Sequence, residues 1–231
     1  MVNAPPLPQN PRAVLFDGDG TLVDSNYLHV VAWVYAFQSA GRHIEAWRIH
    51  EAIGMDSGKL LERLIGDQAE PLGERIKQEH SRRYADFSSL LQPFDGAREV
   101  LRAVASRGTK VVLATSAPPD ELDRLRELLD VEDAIATVTN AEDVATAKPE
   151  PDLVHVALER SGVDAAEAIF VGDAVWDIRA AHAAGVACIA VTSGGVHEAE
   201  LRKEGAARLY PTVRALLEDF EAAQPPRSTS G

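Results

Sequence analysis

Four short runs of uninterrupted apolar residues limit what this chain can fold into. They are AVLF (13–16), KVVLAT (110–115), AIFVGD (168–173) and ACIAVT (187–192), each closed by polar or glycine-rich punctuation. Runs that are apolar at consecutive positions, and not at alternate ones, describe strands covered on both faces. Helical patterns lie between them. Asp95 to Gly108 sets Val100, Leu101 and Val104 at helical spacing, and Asp152 to Gly162 does the same with Leu153, Val156 and Ala157. An alanine-rich stretch runs from Ala174 to Gly185. Asp164 and Glu167 have the spacing of a capping box, which predicts a short helical turn before the third strand. Strand–helix–strand repetition predicts an α/β fold with a mainly parallel sheet and helices on both faces.

Residues 25–92 break this pattern. Helical stretches at 26–40, about 44–53, 57–66 and 72–90 follow one another without a convincing strand. The expected organisation is an α/β core built from 12–24 and 93–222, with 25–92 as an all-helical insert. An insert that leaves after the first strand and returns before the second can lie over the strands' carboxyl ends, where open α/β sheets bind ligands. The proline-rich start (1–11) and the tail (223–231) read as loose termini.

Composition narrows the function. The chain has 231 residues, 45% of them hydrophobic, enough for a substantial core. With 23 Lys and Arg against 36 Asp and Glu, its formal charge is −13. A field of that sign repels nucleic acid and anionic membranes, so neither is an expected partner. The single cysteine, Cys188, excludes a disulfide scaffold and a Cys-rich zinc site. No apolar run approaches the roughly 20 residues that span a bilayer. The opening residues lack an apolar signal core, so the cytoplasm is the expected compartment. Monomer and homodimer both remain open.

The segment Asp17-Gly18-Asp19-Gly20-Thr21 follows the first strand directly. Two carboxylates one residue apart, leaving a buried strand, point to a shared site. An ordinary acidic turn is the plain alternative. A calcium loop would need Gly at its sixth position and Glu at its twelfth, and these are Leu22 and Leu28.

DGDGTLVDS (17–25) closely resembles the first motif of the haloacid dehalogenase-like hydrolases. Thr115-Ser116 looks like the family's second motif, Lys148-Pro149 like the third, and Gly172-Asp173 with Asp177 like the fourth. The resemblance covers about residues 12–222 and implies a Rossmann-like, doubly wound core. It also implies roles. Asp17 would be the nucleophile that forms an aspartyl-phosphate. Asp19 would be general acid for the leaving alcohol, then base for water. Dehalogenases lack this second aspartate, so Asp19 favours phosphoryl chemistry. Asp17, Asp173 and the backbone carbonyl of Asp19 would hold Mg²⁺, since oxygen-only ligation suits that ion. Asp177 would touch the metal through water, or be merely a solvated first-turn aspartate. Thr115, Ser116, Gly18 and Lys148 would hold the phosphoryl group. Ser116-Ala117-Pro118-Pro119 departs from the commoner Asn-containing second motif.

The insert is similar to the helical cap of the family's phosphoglycolate phosphatase and β-phosphoglucomutase-like branch. Cap residues implied to meet substrate are His29, Met55, Lys59 and Arg63, with Trp33 beside His29. Trp33 reads equally as core packing, and Lys59 and Arg63 as a solvated face paired with Glu62. The remaining histidines, His80 and His50 among them, show no ligand spacing. The expected activity is magnesium-dependent hydrolysis of a small phosphomonoester, of phosphoglycolate or sugar-phosphate kind. The alternatives are a phosphomutase, a 2-haloacid dehalogenase and a catalytically silent binding module.

Overall fold

A computed structural model of the chain describes residues 4–140, 143–144 and 148–222. Among these, six strands form one sheet in the order β3-β2-β1-β4-β5-β6, and every pairing is parallel. The strands are β1 (Ala13–Phe16), β2 (Lys110–Ala114), β3 (Ile135–Thr139), β4 (Ala168–Gly172), β5 (Ala187–Val191) and β6 (Arg208–Tyr210). The four expected strands are the four inner ones. The two unexpected strands, β3 and β6, are the edges, and each is only partly covered.

The apolar runs are continuous because both faces of the inner sheet are buried. Val14 and Phe16 of β1 join a cluster with Val100, Leu101 and Val104 of α5 (Ala97–Ala105) and Leu216 and Leu217 of α10 (Val213–Ala222). Ala13 and Leu15 face the other way. They meet Val154 and Ala157 of α7 (Asp152–Ser161) and Ile178 and Ala181 of α8 (Val175–Ala183). Each Val, Leu or Phe so enclosed contributes about 1.5–3 kcal/mol of hydrophobic stabilisation. Two more helices, α6 (Pro119–Leu129) and α9 (Glu198–Glu204), complete the crossovers. The capping box expected at Asp164 does not form. Residues 165–167 make a 3₁₀ turn without a side-chain cap, because the Glu167 carboxylate turns to Arg12, 3.1 Å away.

Between β1 and α5 the described chain is helical: α1 (Asn26–Ser39), α2 (Ala46–His50), α3 (Ser57–Ile65) and α4 (Ala69–Asp86), with short 3₁₀ turns at 66–68 and 88–90. This insert has its own apolar cluster, with Val30, Trp33, Phe37, Ile49, Leu60, Leu61, Leu64 and Ile76. Its two connections run side by side. Val23 bridges Pro93, Asp24 N–H donates to Gln92 O at 2.9 Å, and Phe94 N–H donates to Leu22 O at 2.9 Å. At the start of the described chain, Leu7 packs on the core. The tail 223–231 lies outside the described residues. No described helix is long and apolar enough to cross a membrane.

Candidate active site

Strand register assembles the site. Phe16, the last residue of β1, pairs with Leu113 of β2 and with Val171 of β4. Asp17 therefore stands level with Ala114 and Gly172, and Thr115 and Asp173 follow one residue further along the neighbouring strands, where the strand order reverses around β1. The Asp17 N–H still donates to Val171 O at 2.9 Å. Beyond it the chain turns tightly, and Gly18 O accepts from Leu22 N–H (2.8 Å) and Val23 N–H (3.1 Å). Gly20 sits at φ 69°, and a Cβ there would run into Asn26 Nδ2 and the Asp173 carboxylate. Glycine is what lets the loop pass so close.

Lys148 anchors the charges. Its side chain is 1% exposed, and Nζ lies 2.6 Å from Asp17 Oδ1 and 2.8 Å from Asp177 Oδ1. Burial alone would lower the lysine's pKa, but Asp17 and Asp177 hold it above the usual value. Asp177 is fully buried, which overturns the reading of it as a solvated helix-end residue. Its Oδ2 accepts from the N–H groups of Asp173 (3.1 Å) and Ala174 (2.9 Å), capping α8. Asp173 is gripped from two sides, by Thr21 Oγ1 at 3.1 Å and Asn26 Nδ2 at 2.8 Å.

Asp17, Asp173 and Asp177 place carboxylate oxygens within 4.8 Å of one another, all buried. Burial pushes Asp17 up to about 7, with Asp177 adding to the rise and Lys148 opposing it. Burial, then Asp177 and Asp17, push Asp173 well above the carboxylate range. One lysine does not neutralise three such carboxylates, and oxygen donors crowded this closely fit a divalent cation.

The Asp19 carboxylate points away from that cluster. Its Oδ1 accepts from Ser25 Oγ at 2.5 Å and lies 3.4 Å from His29 Nε2. Burial would raise Asp19, but His29 and Ser25 bring it below the usual value. His29 answers in kind: burial lowers it, and Asp19 more than restores it. Behind it, His29 Nδ1 lies 3.1 Å from His80 Nε2. The His29 ring stacks on Tyr84 at 3.8 Å, and the His80 ring on Trp33 at 4.1 Å. Burial and the neighbouring His29 press His80 well below the ordinary histidine pKa. One imidazole of the pair is thus poised to carry the proton and the other to stay neutral.

Between insert and core is a cavity of about 210 Å³. Asp17, Asp19, Asp173 and Ser116 line its core side, and His29, Trp33 and Met55 line its insert side. Gly54, at φ 87°, lets the Ile53–Met55 turn approach the core; a Cβ there would stand 3.0 Å from Ala174 Cβ. Thr115 is buried behind this wall, where its Oγ1 accepts from Ala117 N–H at 3.1 Å. Gly18 lies against Thr115, with a built Cβ 3.7 Å from Oγ1.

Two expected cap residues are not brought in. Lys59 is absent from the lining, and Arg63 is exposed, lying 5.5 Å over the Trp176 ring. Asn26, Lys77, His80 and Glu121 are among the lining residues that carried no motif. His80 and Lys77 show no spacing signal on α4, and tertiary packing alone delivers them.

Over residues 11–185 the chain matches the haloacid dehalogenase-like hydrolase family. It is 29% identical over 216 residues to a phosphoglycolate phosphatase of Pseudomonas fluorescens, covering 90% of this chain and 79% of that protein. A phosphorylated carbohydrates phosphatase of Thermotoga maritima is 34% identical over 183 residues, 76% of this chain and 82% of the relative. A solved hydrolase from Pseudomonas syringae matches with a TM-score of 0.86 at 31% identity, covering 92% of this chain and 99% of that one.

Proposed function

The chain belongs to the haloacid dehalogenase-like hydrolases, and on that premise we propose that it hydrolyses a small phosphomonoester through a phosphoryl group carried on Asp17. It is a phosphatase of small phosphate esters. The observation that carries the chemistry is the division of labour between its two carboxylates. Asp17 lies 2.6 Å from a buried lysine within an acidic cluster, whereas Asp19 turns aside to Ser25 and His29. One is placed to attack and the other to handle protons.

In this reading Asp17 attacks phosphorus, and the bond to the leaving oxygen breaks. Asp19 gives that oxygen a proton received from His29, 3.4 Å away, the step most helped by a positioned acid. It then removes a proton from the water that opens the acyl phosphate, and orthophosphate leaves. Lys148 offsets charge on Asp17 and the phosphoryl oxygens, while Thr115, Ser116 and the Gly18 amide orient the group. Magnesium held by Asp17, Asp173 and the Asp19 carbonyl supplies Lewis-acid charge when bound. The helical insert acts as a cap whose His29, Trp33 and Met55 wall shields the reaction from bulk water.

A cavity of about 210 Å³ suits a small leaving group, of phosphoglycolate or sugar-phosphate size. The test is a screen of phosphorylated metabolites with magnesium, run beside Asp17→Asn. Turnover that disappears in the variant supports the assignment. Turnover that survives near the parent rate removes Asp17 as nucleophile.

A further inference from the structure

One carboxyl on the cavity wall has no part in the chemistry above. Glu121 stands in the first turn of α6, on the core side, and is 8% exposed. Its position, third in the helix, is where a glutamate ordinarily reaches back to the N-cap N–H. Here the N-cap is Pro118 and the first helical residue is Pro119, and neither has an N–H to offer. No hydrogen bond or ion pair joins the Glu121 carboxyl to another described residue. Capping therefore does not explain this glutamate, whose side chain lines the cavity without a protein partner.

It lines the same cavity as Asp19 and His29. Glu121 feels the charges of His29, Asp19, Asp120 and Arg124, and acts in turn on His29 and Tyr84. Burial pushes it up to about 7. The cavity's ammonium, Lys77, stands on the opposite, insert wall. A Cβ on Gly58 would lie 3.8 Å from Lys77 Nζ, and Asp56 Oδ1 beside it accepts from Gly58 N–H at 2.8 Å and Lys59 N–H at 3.2 Å.

We infer that Glu121 selects the leaving group: it accepts a hydrogen bond from a hydroxyl- or amine-bearing alcohol and turns away hydroxy acids. The assignment rests on the phosphatase reading and narrows the substrate class of that same site. A donor on the substrate satisfies the carboxylate. A carboxylate on the substrate leaves two acceptors face to face, beside a phosphate dianion. Sites with a buried polar group discriminate strongly against a ligand that leaves it unpaired. Specificity of this kind comes as much from the repelled competitor as from the favoured partner.

The experiment compares kcat/KM for glycerol 3-phosphate and 2-phosphoglycolate, with magnesium, in the wild type and in Glu121→Gln. It is run at about pH 8.5, where the glutamate is ionised. Glutamine keeps the size and one acceptor oxygen but adds an N–H that a carboxylate can accept from. Thermal melts establish that the variant is folded. The expected result is a wild-type preference for glycerol 3-phosphate of at least about tenfold. That preference collapses by about tenfold in Glu121→Gln, mainly through a lower KM for 2-phosphoglycolate. A wild type that favours 2-phosphoglycolate, or a folded variant with an unchanged ratio, overturns the assignment. Absence of turnover on every ester removes the phosphatase reading, and this inference with it.

Discussion

Lys148 Nζ lies 2.6 Å from Asp17 Oδ1, and neither side chain is more than 6% exposed. The contact ties the third motif to the first and favours the ionised form of Asp17 against burial. Replacing the lysine by methionine leaves Asp17 and Asp177 uncompensated, and breaking a buried pair in this way costs about 3–5 kcal/mol. Asp17 then keeps its proton and attacks poorly. Lys148→Met should lower kcat/KM by at least about 100-fold and weaken inhibition by orthophosphate. Steady-state kinetics with product inhibition check both, and an unchanged profile removes Lys148 from the site.

The acidic cluster predicts a second behaviour. Three buried carboxylates repel one another until a cation enters. Chelation should abolish turnover reversibly, and added magnesium should raise the melting temperature of stripped protein. Asp173→Asn should need at least about tenfold more magnesium for half-saturation of either signal. A melting temperature indifferent to magnesium in the parent protein contradicts the metal assignment.

Gly194 tests the packing around Asp173. A Cβ there would overlap Asp173 Oδ2 and press on Asn26 Nδ2. The Gly194 carbonyl also accepts from Asn26 Nδ2 at 3.2 Å and lies 2.9 Å from His50 Nε2, so it joins insert to core. Gly194→Ala should displace Asp173 and cut kcat by about 100-fold with the fold retained. Kinetics beside a circular dichroism spectrum check this, and near-parent activity contradicts it.

Glu121 gives a stability signature independent of substrate. Burial raises it from 4.5 to about 7, so the folded protein holds its proton more tightly than the unfolded chain does. Its stabilising contribution is complete below the unfolded value and is lost as pH rises from 4.5 through about 7. Glu121→Gln should therefore gain roughly 2 kcal/mol relative to wild type between about pH 5 and pH 8. Urea melts at the two pH values measure it, and a constant difference rules out the buried, ionising carboxyl.

Much of the scaffold was legible because central parallel strands bury both faces, so β1, β2, β4 and β5 read as unbroken apolar runs. The edge strands escaped. In β3, IATVT is only partly covered, and in β6 three residues, RLY, carry no run at all. The same logic separates the site residues. Asp17, Thr115 and Asp173 lie just past those apolar strands, at positions the motif spacing marks. His80 and Glu121 come together only through tertiary packing of α4 and α6 over the sheet's end, which no local pattern encodes. Lys59 and Arg63 stand apart from these residues. Their i, i+4 spacing is real, but neither lines the cavity, and Arg63 lies over Trp176.

The central claim is the covalent bond to Asp17, and acid quench during turnover tests it most directly. The phosphate ester carries a labelled phosphoryl group, and Asp19→Asn is run alongside to slow breakdown of the acyl phosphate. Peptide mapping under conditions that preserve such bonds should find one phosphoryl group on Asp17, with more of it in the variant. Continued release of orphosphate with no label on Asp17, or label on another side chain, contradicts the account.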